Sequence, residues 1–215
     1  MKKSINWNLY LVTDAGLSRG RSHDEVVAAA IRGGVSVVQY RDKDASTRRM
    51  IETAQILQVL CRADNVPFIV NDRLDVALAV DADGIHVGQD DMPARTARRL
   101  IGPTKILGVT AGDLEEALAA CADGADYIGL SPVFETATKS DTGNTLGLEA
   151  FAAIAHRCTL PVVGIAGINA SNAAGVIQAG ASGIAVVSAI VSADDIEAAA
   201  RKLIRIIEKA RGVSH

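Results

Sequence analysis

Four clusters of polar residues each follow a short apolar run: Gln39-Tyr40-Arg41-Asp42-Lys43, Asn71-Asp72-Arg73, Gln89-Asp90-Asp91 and Thr136-Ala137-Thr138-Lys139. Amide side chains, carboxylates and cations together are the groups that hold a phosphate ester on Mg2+. Carboxylate oxygens suit that ion, and Arg and Lys neutralise phosphoryl oxygens. Asp72 and Asp91 follow separate apolar runs that would be neighbours in a sheet ordered by sequence, and two neighbouring carboxylates repel unless a cation lies between them. Asp90 beside Asp91 leaves the choice of ligand open, and each Asp alone reads equally as a loop cap or a surface ion-pair residue. Arg41, Lys43 and Lys139 come from distant parts of the chain. Gathered on one rim they would neutralise a departing diphosphate; singly, each reads as an ordinary surface cation.

Residues this far apart meet only if the fold collects the ends of several strands. Apolar runs recur at Leu9–Val12, Val35–Val38, Phe68–Val70, Gly84–Val87, Ile106–Val109, Tyr127–Leu130, Pro161–Ile165 and Gly183–Val187. Between them lie segments with helical periodicity: Asp24–Arg32, Thr47–Arg62, Asp75–Val80, Ala94–Ile101, Leu114–Ala122, Leu148–His156, Asn172–Ala179 and Asp194–Arg211. Ser22 with Glu25 and Asp113 with Glu116 have capping-box spacing, and Ser171-Asn172 and Ser192 are further N-cap candidates. Gly33-Gly34, Gly102-Pro103, Gly124 and Gly180 each stop a helix just before the next strand. Eight strand-helix units in 215 residues, roughly 27 residues apiece, predict a single-domain (β/α)8 TIM barrel spanning 1–215, with the polar clusters at its C-terminal mouth.

Composition narrows the partners. With 49% hydrophobic but only 3% aromatic residues, the core is expected to consist of Val, Ile, Leu and Ala. A net charge of -3 and so few rings leave neither a basic stripe nor stacking platforms, which argues against nucleic acid. Cys61, Cys121 and Cys158 are odd in number and widely spaced, so they read as buried or semi-exposed thiols in a reducing compartment and not as a disulfide or zinc framework. The start, Met1 to Trp7, shows no signal-peptide pattern, and no run approaches the length of a membrane span; the expectation is a cytoplasmic protein with no membrane partner. A homo-oligomer is left open.

Gly164-Ile165-Ala166-Gly167-Ile168-Asn169 and Gly183 to Ser188 bring glycines and backbone N–H groups to the ends of strands seven and eight, the common place for a phosphate in this fold; the same glycines also serve as turn residues. A second phosphate is therefore expected beside the first. His86, inside the fourth run, reads as a structural histidine more readily than as a ligand or base. The long loop from Pro132 to Gly147, which contains Lys139, reads as a lid or as a merely solvated connection.

Over nearly its whole length the chain resembles the thiamine phosphate synthase family. The matching phrases are Leu9-Tyr10-Leu11-Val12-Thr13-Asp14, Gln39 to Lys43, Asn71-Asp72-Arg73, Ala82 to Asp91, Thr136 to Lys139 and Val187-Ser188-Ala189-Ile190. Where the family usually has Gly-Gly, this chain has Ala166-Gly167. The resemblance implies transfer of 4-amino-5-hydroxymethyl-2-methylpyrimidine from its diphosphate to a thiazole phosphate, with release of pyrophosphate. It also implies roles. Gln39, Tyr40, Arg41, Asp42, Lys43, Asn71, Thr110 and Lys139 would hold the pyrimidine diphosphate, with Arg41, Lys43 and Lys139 acting on the leaving group. Asp72 and Asp91 would hold the Mg2+ cofactor, and Thr136, Ala137, Thr138, Gly167, Val187 and Ser188 the thiazole phosphate. A related thiazole tautomerase and a silent phosphate-binding regulator are the competing readings; the aspartate pair disfavours the first, and the presence of both Lys43 and Lys139 disfavours the second.

Overall fold

Parallel strands with helices over one face and a closed interior on the other must be apolar in both directions, and the short strands of this chain are. In the computed structural model they are β1 (Leu9–Val12), β2 (Val37–Tyr40), β3 (Phe68–Asn71), β4 (Gly84–Val87), β5 (Ile106–Ala111), β6 (Tyr127–Leu130), β7 (Val162–Ile165) and β8 (Gly183–Val186). The helices are α1 (His23–Arg32), α2 (Thr47–Ala63), α3 (Leu74–Ala79), α4 (Ala94–Ile101), α5 (Leu114–Ala122), α6 (Gly147–Ala155), α7 (Ala173–Gln178), α8 (Ser188–Val191) and α9 (Ile196–Ala210). The structure describes residues 4–136 and 145–212. All strands pair in parallel in sequence order, and β8 returns to β1 with Val186 beside Leu11, giving the closed (β/α)8 barrel that the repeat predicts. Among the described residues no helix is long and apolar enough to cross a membrane.

Local signals act largely as read. Ser22 and Glu25 form a reciprocal capping box on α1. Asp113 accepts from the Glu116 N–H, but the Glu116 carboxylate turns to the Gly112 N–H at 2.7 Å, so that box is half made. Ser192 does not start α9; it ends α8 and donates to the Leu17 carbonyl, while Asp195 caps α9. The second strand begins two residues later than expected, because Gly34 adopts φ +98° and Val35 still belongs to the helix-to-strand turn, its N–H bonded to the Ala30 carbonyl. Gln39 and Tyr40 consequently lie inside β2 and point to opposite faces, not together beyond its end.

The two faces of the sheet build two cores. Between sheet and helices the filling is mainly aliphatic, as expected, with Leu11, Val38, Val70, Ile85, Leu107 and Ile128 fully buried, and with Tyr40, Phe68 and Phe151 as its aromatic members. The barrel interior departs from that expectation: Trp7, Tyr10 and Tyr127 pack there with Val12, Val37, Ile69 and Val163, the Trp7 and Tyr127 rings 4.3 Å apart. A closed barrel has a fixed interior volume, and a few large rings fill it from the strands that carry them. Glycines on β5 and β6 yield space: a Cβ on Gly108 would sit 2.1 Å from Tyr127 Cζ, and one on Gly129 would sit 2.9 Å from His86 Cε1.

Two substitutions test this packing. Gly108→Ala forces a methyl into the Tyr127 ring and is expected to cost about 2 kcal/mol or more, read as a lowered urea midpoint with unchanged slope. Ala166, just past β7, holds φ +75°, a region costly for a residue with a Cβ. Ala166→Gly is expected to stabilise by roughly 0.5–1 kcal/mol once the added freedom of the unfolded chain is subtracted; a fall in the midpoint would show that the Ala166 methyl contributes packing that outweighs the strain.

Candidate active site

At the mouth, the alternation of each strand decides which side chains face inward. Gln39, Asn71, His86 and Thr110 occupy inward positions on β2, β3, β4 and β5, two residues beyond Val37, Ile69, Gly84 and Gly108 respectively. Gln39 and His86 are 3% and 4% exposed, so their polar atoms require partners. Gln39 Nε2 donates to the Tyr10 hydroxyl at 2.8 Å, Tyr10 and Tyr127 hydroxyls meet at 2.8 Å, His86 Nδ1 meets the Tyr127 hydroxyl at 2.8 Å, and His86 Nε2 meets Thr110 Oγ1 at 2.8 Å. Burial pushes the Tyr10 and Tyr127 phenols well above their usual range, so both keep their protons. Tyr10 and Tyr127 escaped the sequence reading because a tyrosine within an apolar run looks like plain core. His86 is buried and bonded at both ring nitrogens, which agrees with its structural reading.

Around this interior lie the loops. Arg41 Nη1 reaches Asp14 Oδ2 at 2.7 Å, and the Arg41 N–H donates to Thr13 Oγ1, tying the β1 and β2 loops together. Asp14, quoted in the opening phrase, is thus the counter-ion of Arg41. Asp42 Oδ1 accepts the N–H groups of Asp44 and Ala45, and its Oδ2 lies 3.3 Å from His23 Nε2. Lys43 is exposed and lines a cavity of about 250 Å3 with Asp14, Gly16, Arg41, Asp42 and Asp44. Tyr40 stands apart from this group: its ring faces the helix layer, edge-on to His23, with centroids 5.1 Å apart.

Asp72 follows β3 with φ +58°, its N–H bonded to the His86 carbonyl at 2.8 Å, and Asp91 follows β4 with Oδ2 accepting the Gly88 N–H at 2.8 Å. Because β3 and β4 are paired, with Asn71 beside His86, Asp72 and Asp91 lie on adjacent loops. Among the described residues no three His, Cys, Asp or Glu side chains gather as a metal cage. A pair of carboxylates fits Mg2+, which takes its remaining ligands from water and phosphate oxygens. A larger cavity of about 480 Å3 lies between α4 and α5, but Asp113, Glu115, Glu116 and Asp123 line it without a Lys or Arg, which is unfavourable for a phosphate ester.

On the far side, α8 follows β8 at once, with Val187 at its N-cap and Ser188 exposed at its start. This is the short extra helix that the fold commonly places at its phosphate site, and it was not visible as a helical period because it is a single turn. Gly167 has φ +66°, and a Cβ there would lie 2.5 Å from the Glu135 carbonyl oxygen and 2.7 Å from Phe134 Cβ. The turn therefore requires glycine independently of any ligand. The loop after β6 leans on this turn through the Val133 and Phe134 N–H groups, bonded to the Ile165 and Ala166 carbonyls. Thr136 is the last residue described on that side; Ala137, Thr138 and Lys139 lie outside the described residues, as does the central part of the loop read as a lid. The three cysteines carry no disulfide; burial pushes the Cys61 thiol up to about 12 and raises Cys121 and Cys158, so all three stay protonated at neutral pH.

Comparison with known proteins agrees with the motifs. The chain is 62% identical over 199 residues to the thiamine-phosphate synthase of Chloroflexus aurantiacus, covering 93% of this chain and 92% of that one. It is 49% identical over 206 residues to the thiamine-phosphate synthase of Moorella thermoacetica, covering 96% and 98%. The thiamine phosphate pyrophosphorylase of Pyrococcus furiosus superposes with a TM-score of 0.88 at 41% identity, over 95% of this chain and 97% of its own. Relatives of this kind favour a synthase over the tautomerase and the silent regulator. With residues 9–190 also matching the family model described as thiamine monophosphate synthase, the chain belongs to that family and is a transferase of the thiamine-phosphate synthase type.

Proposed function

We propose that this enzyme joins 4-amino-5-hydroxymethyl-2-methylpyrimidine diphosphate to a thiazole phosphate, forming thiamine phosphate and pyrophosphate. The observation that carries the reading is the meeting of inward Gln39, Asn71 and Thr110 with Arg41 and Lys43 and the Asp72 and Asp91 loops at one mouth. Gln39, Asn71 and Thr110 orient the pyrimidine ring. Arg41 leaves Asp14 for the diphosphate and, with Lys43 and Lys139, neutralises the charge that grows as the methylene–oxygen bond breaks. Asp72 and Asp91 would hold Mg2+, which would supply further positive charge to the diphosphate. The bonding pair leaves with the diphosphate, the amino group of the pyrimidine shares the resulting positive charge, and the thiazole nitrogen closes the new bond with its lone pair. That nitrogen has no proton to lose, so no general base is required and positioning dominates. Gly167, Val187 and Ser188, with Thr136 to Thr138, hold the thiazole phosphate at the opposite side of the mouth.

The test is a coupled assay of pyrophosphate release with both substrates, with and without Mg2+. Asp72→Ala and Asp91→Ala are expected to lose about 10²-fold or more in turnover with the melting temperature nearly kept, and to recover partly at raised Mg2+. Near-normal turnover in either variant removes the metal assignment. Lys43→Ala is expected to slow single-turnover cleavage by about 10² to 10³ while leaving thiazole phosphate binding unchanged; the reverse pattern places that lysine on the other substrate.

A further inference from the structure

The bonds inside the barrel form one continuous chain, Gln39–Tyr10–Tyr127–His86–Thr110, that crosses from β2 through β1 and β6 to β4 and β5. It begins and ends on side chains at the mouth, while its three middle members are buried. Each hydroxyl has a single proton, so the direction of one bond sets the next. Tyr10 accepts from Gln39 Nε2, and its own proton then has one acceptor among the described residues, Tyr127. Tyr127 in turn gives its proton to His86 Nδ1, and a neutral imidazole accepting at Nδ1 carries its proton on Nε2 and donates to Thr110. With Gln39 Nε2 turned to Tyr10, the opposite direction at the Tyr10–Tyr127 bond would strand the Tyr10 proton without an acceptor in a fully buried site, which costs about 1–3 kcal/mol; the fully reversed chain requires the Gln39 amide the other way round, with its carbonyl on Tyr10.

We propose that Tyr10, Tyr127 and His86 are positioning residues that fix the polarity of the pyrimidine site, holding Gln39 with its carbonyl oxygen as an acceptor and Thr110 with its hydroxyl as a donor. An aminopyrimidine presents the complement, an exocyclic amino donor and ring-nitrogen acceptors. The chain thereby selects for that pattern without touching the substrate. This rests on the assignment of Gln39 and Thr110 to the pyrimidine diphosphate; the polarity of the chain itself does not.

Two measurements separate these. Histidine 15N spectra of the ligand-free enzyme, with the His86 signals assigned by loss in His86→Gln, are expected to show Nδ1 unprotonated and Nε2 protonated, and Tyr127→Phe is expected to disturb that tautomer. A His86 protonated at Nδ1, or one indifferent to Tyr127→Phe, overturns the proposal whatever the substrates are. In kinetics, Tyr127→Phe is expected to raise the KM for pyrimidine diphosphate about tenfold and leave the KM for thiazole phosphate unchanged. Tyr10→Phe, which also keeps its ring, should act alike and serves if Tyr127→Phe fails to fold. Both KM values rising together would mark a general loss of packing and overturn the positioning role. A wild-type enzyme that shows the expected tautomer but turns over neither substrate defeats the assignment of substrates and leaves the polarity standing.

Discussion

A closed barrel of short strands has an interior that only side chains can fill, and this chain fills it with rings whose polar tips cannot reach water. Trp7, Tyr10 and Tyr127 supply the volume, Gly108 on the neighbouring β5 leaves room for Tyr127, and Gly129 on β6 leaves room for His86. Once two phenols and an imidazole are buried together, their hydroxyls and nitrogens must bond to one another, because an unpaired buried polar group costs more than the bond returns. Packing and hydrogen bonding are thus a single constraint here. The interior network reaches the mouth at Gln39 and Thr110, so the requirement that fills the barrel also orients two of the side chains proposed to hold the pyrimidine.

The rim obeys a different logic. Arg41 and Asp42 already have partners, Asp14 and His23, and both pairs are largely shielded. A shielded arginine held by a carboxylate is kept in place without being left as an uncompensated charge. Its guanidinium can then exchange one set of oxygens for another, which suits a phosphoryl ligand. Lys43, exposed at the edge of the small cavity, adds charge that moves with little constraint.

The opposite side of the mouth shows how tightly one turn is built. Gly167 sits against the backbone of residues 134–135, and Ala166 holds a left-handed conformation that glycine would adopt more cheaply. Asn172, expected as a cap by its side chain, instead donates from Nδ2 to the Gly167 carbonyl at 2.9 Å and accepts the Asn169 N–H. Residues 133–135 after β6 and the turn after β7 are therefore joined. A change in either alters the place where the second phosphate is proposed to bind.

Period and punctuation in the sequence determined the eight units, their order and the mouth at which polar residues collect, because strand-end clusters and helix-stopping glycines are local signals. The same signals placed Asp72, Asp91, Arg41 and Lys43 in loops at that mouth. The direction of each side chain lay beyond their reach. β2 runs on to Tyr40, so Gln39 and Tyr40 belong to the strand itself, and its period of two sends Gln39 to the interior and Tyr40 against the helices. Tyr10, Tyr127 and His86 looked like core residues, which they are; only closure of the barrel brought β1, β4 and β6 near enough for their polar tips to join. Hydrogen bonds between side chains 24 to 117 residues apart have no local trace, so the network at the centre of the site was decided by the tertiary structure alone.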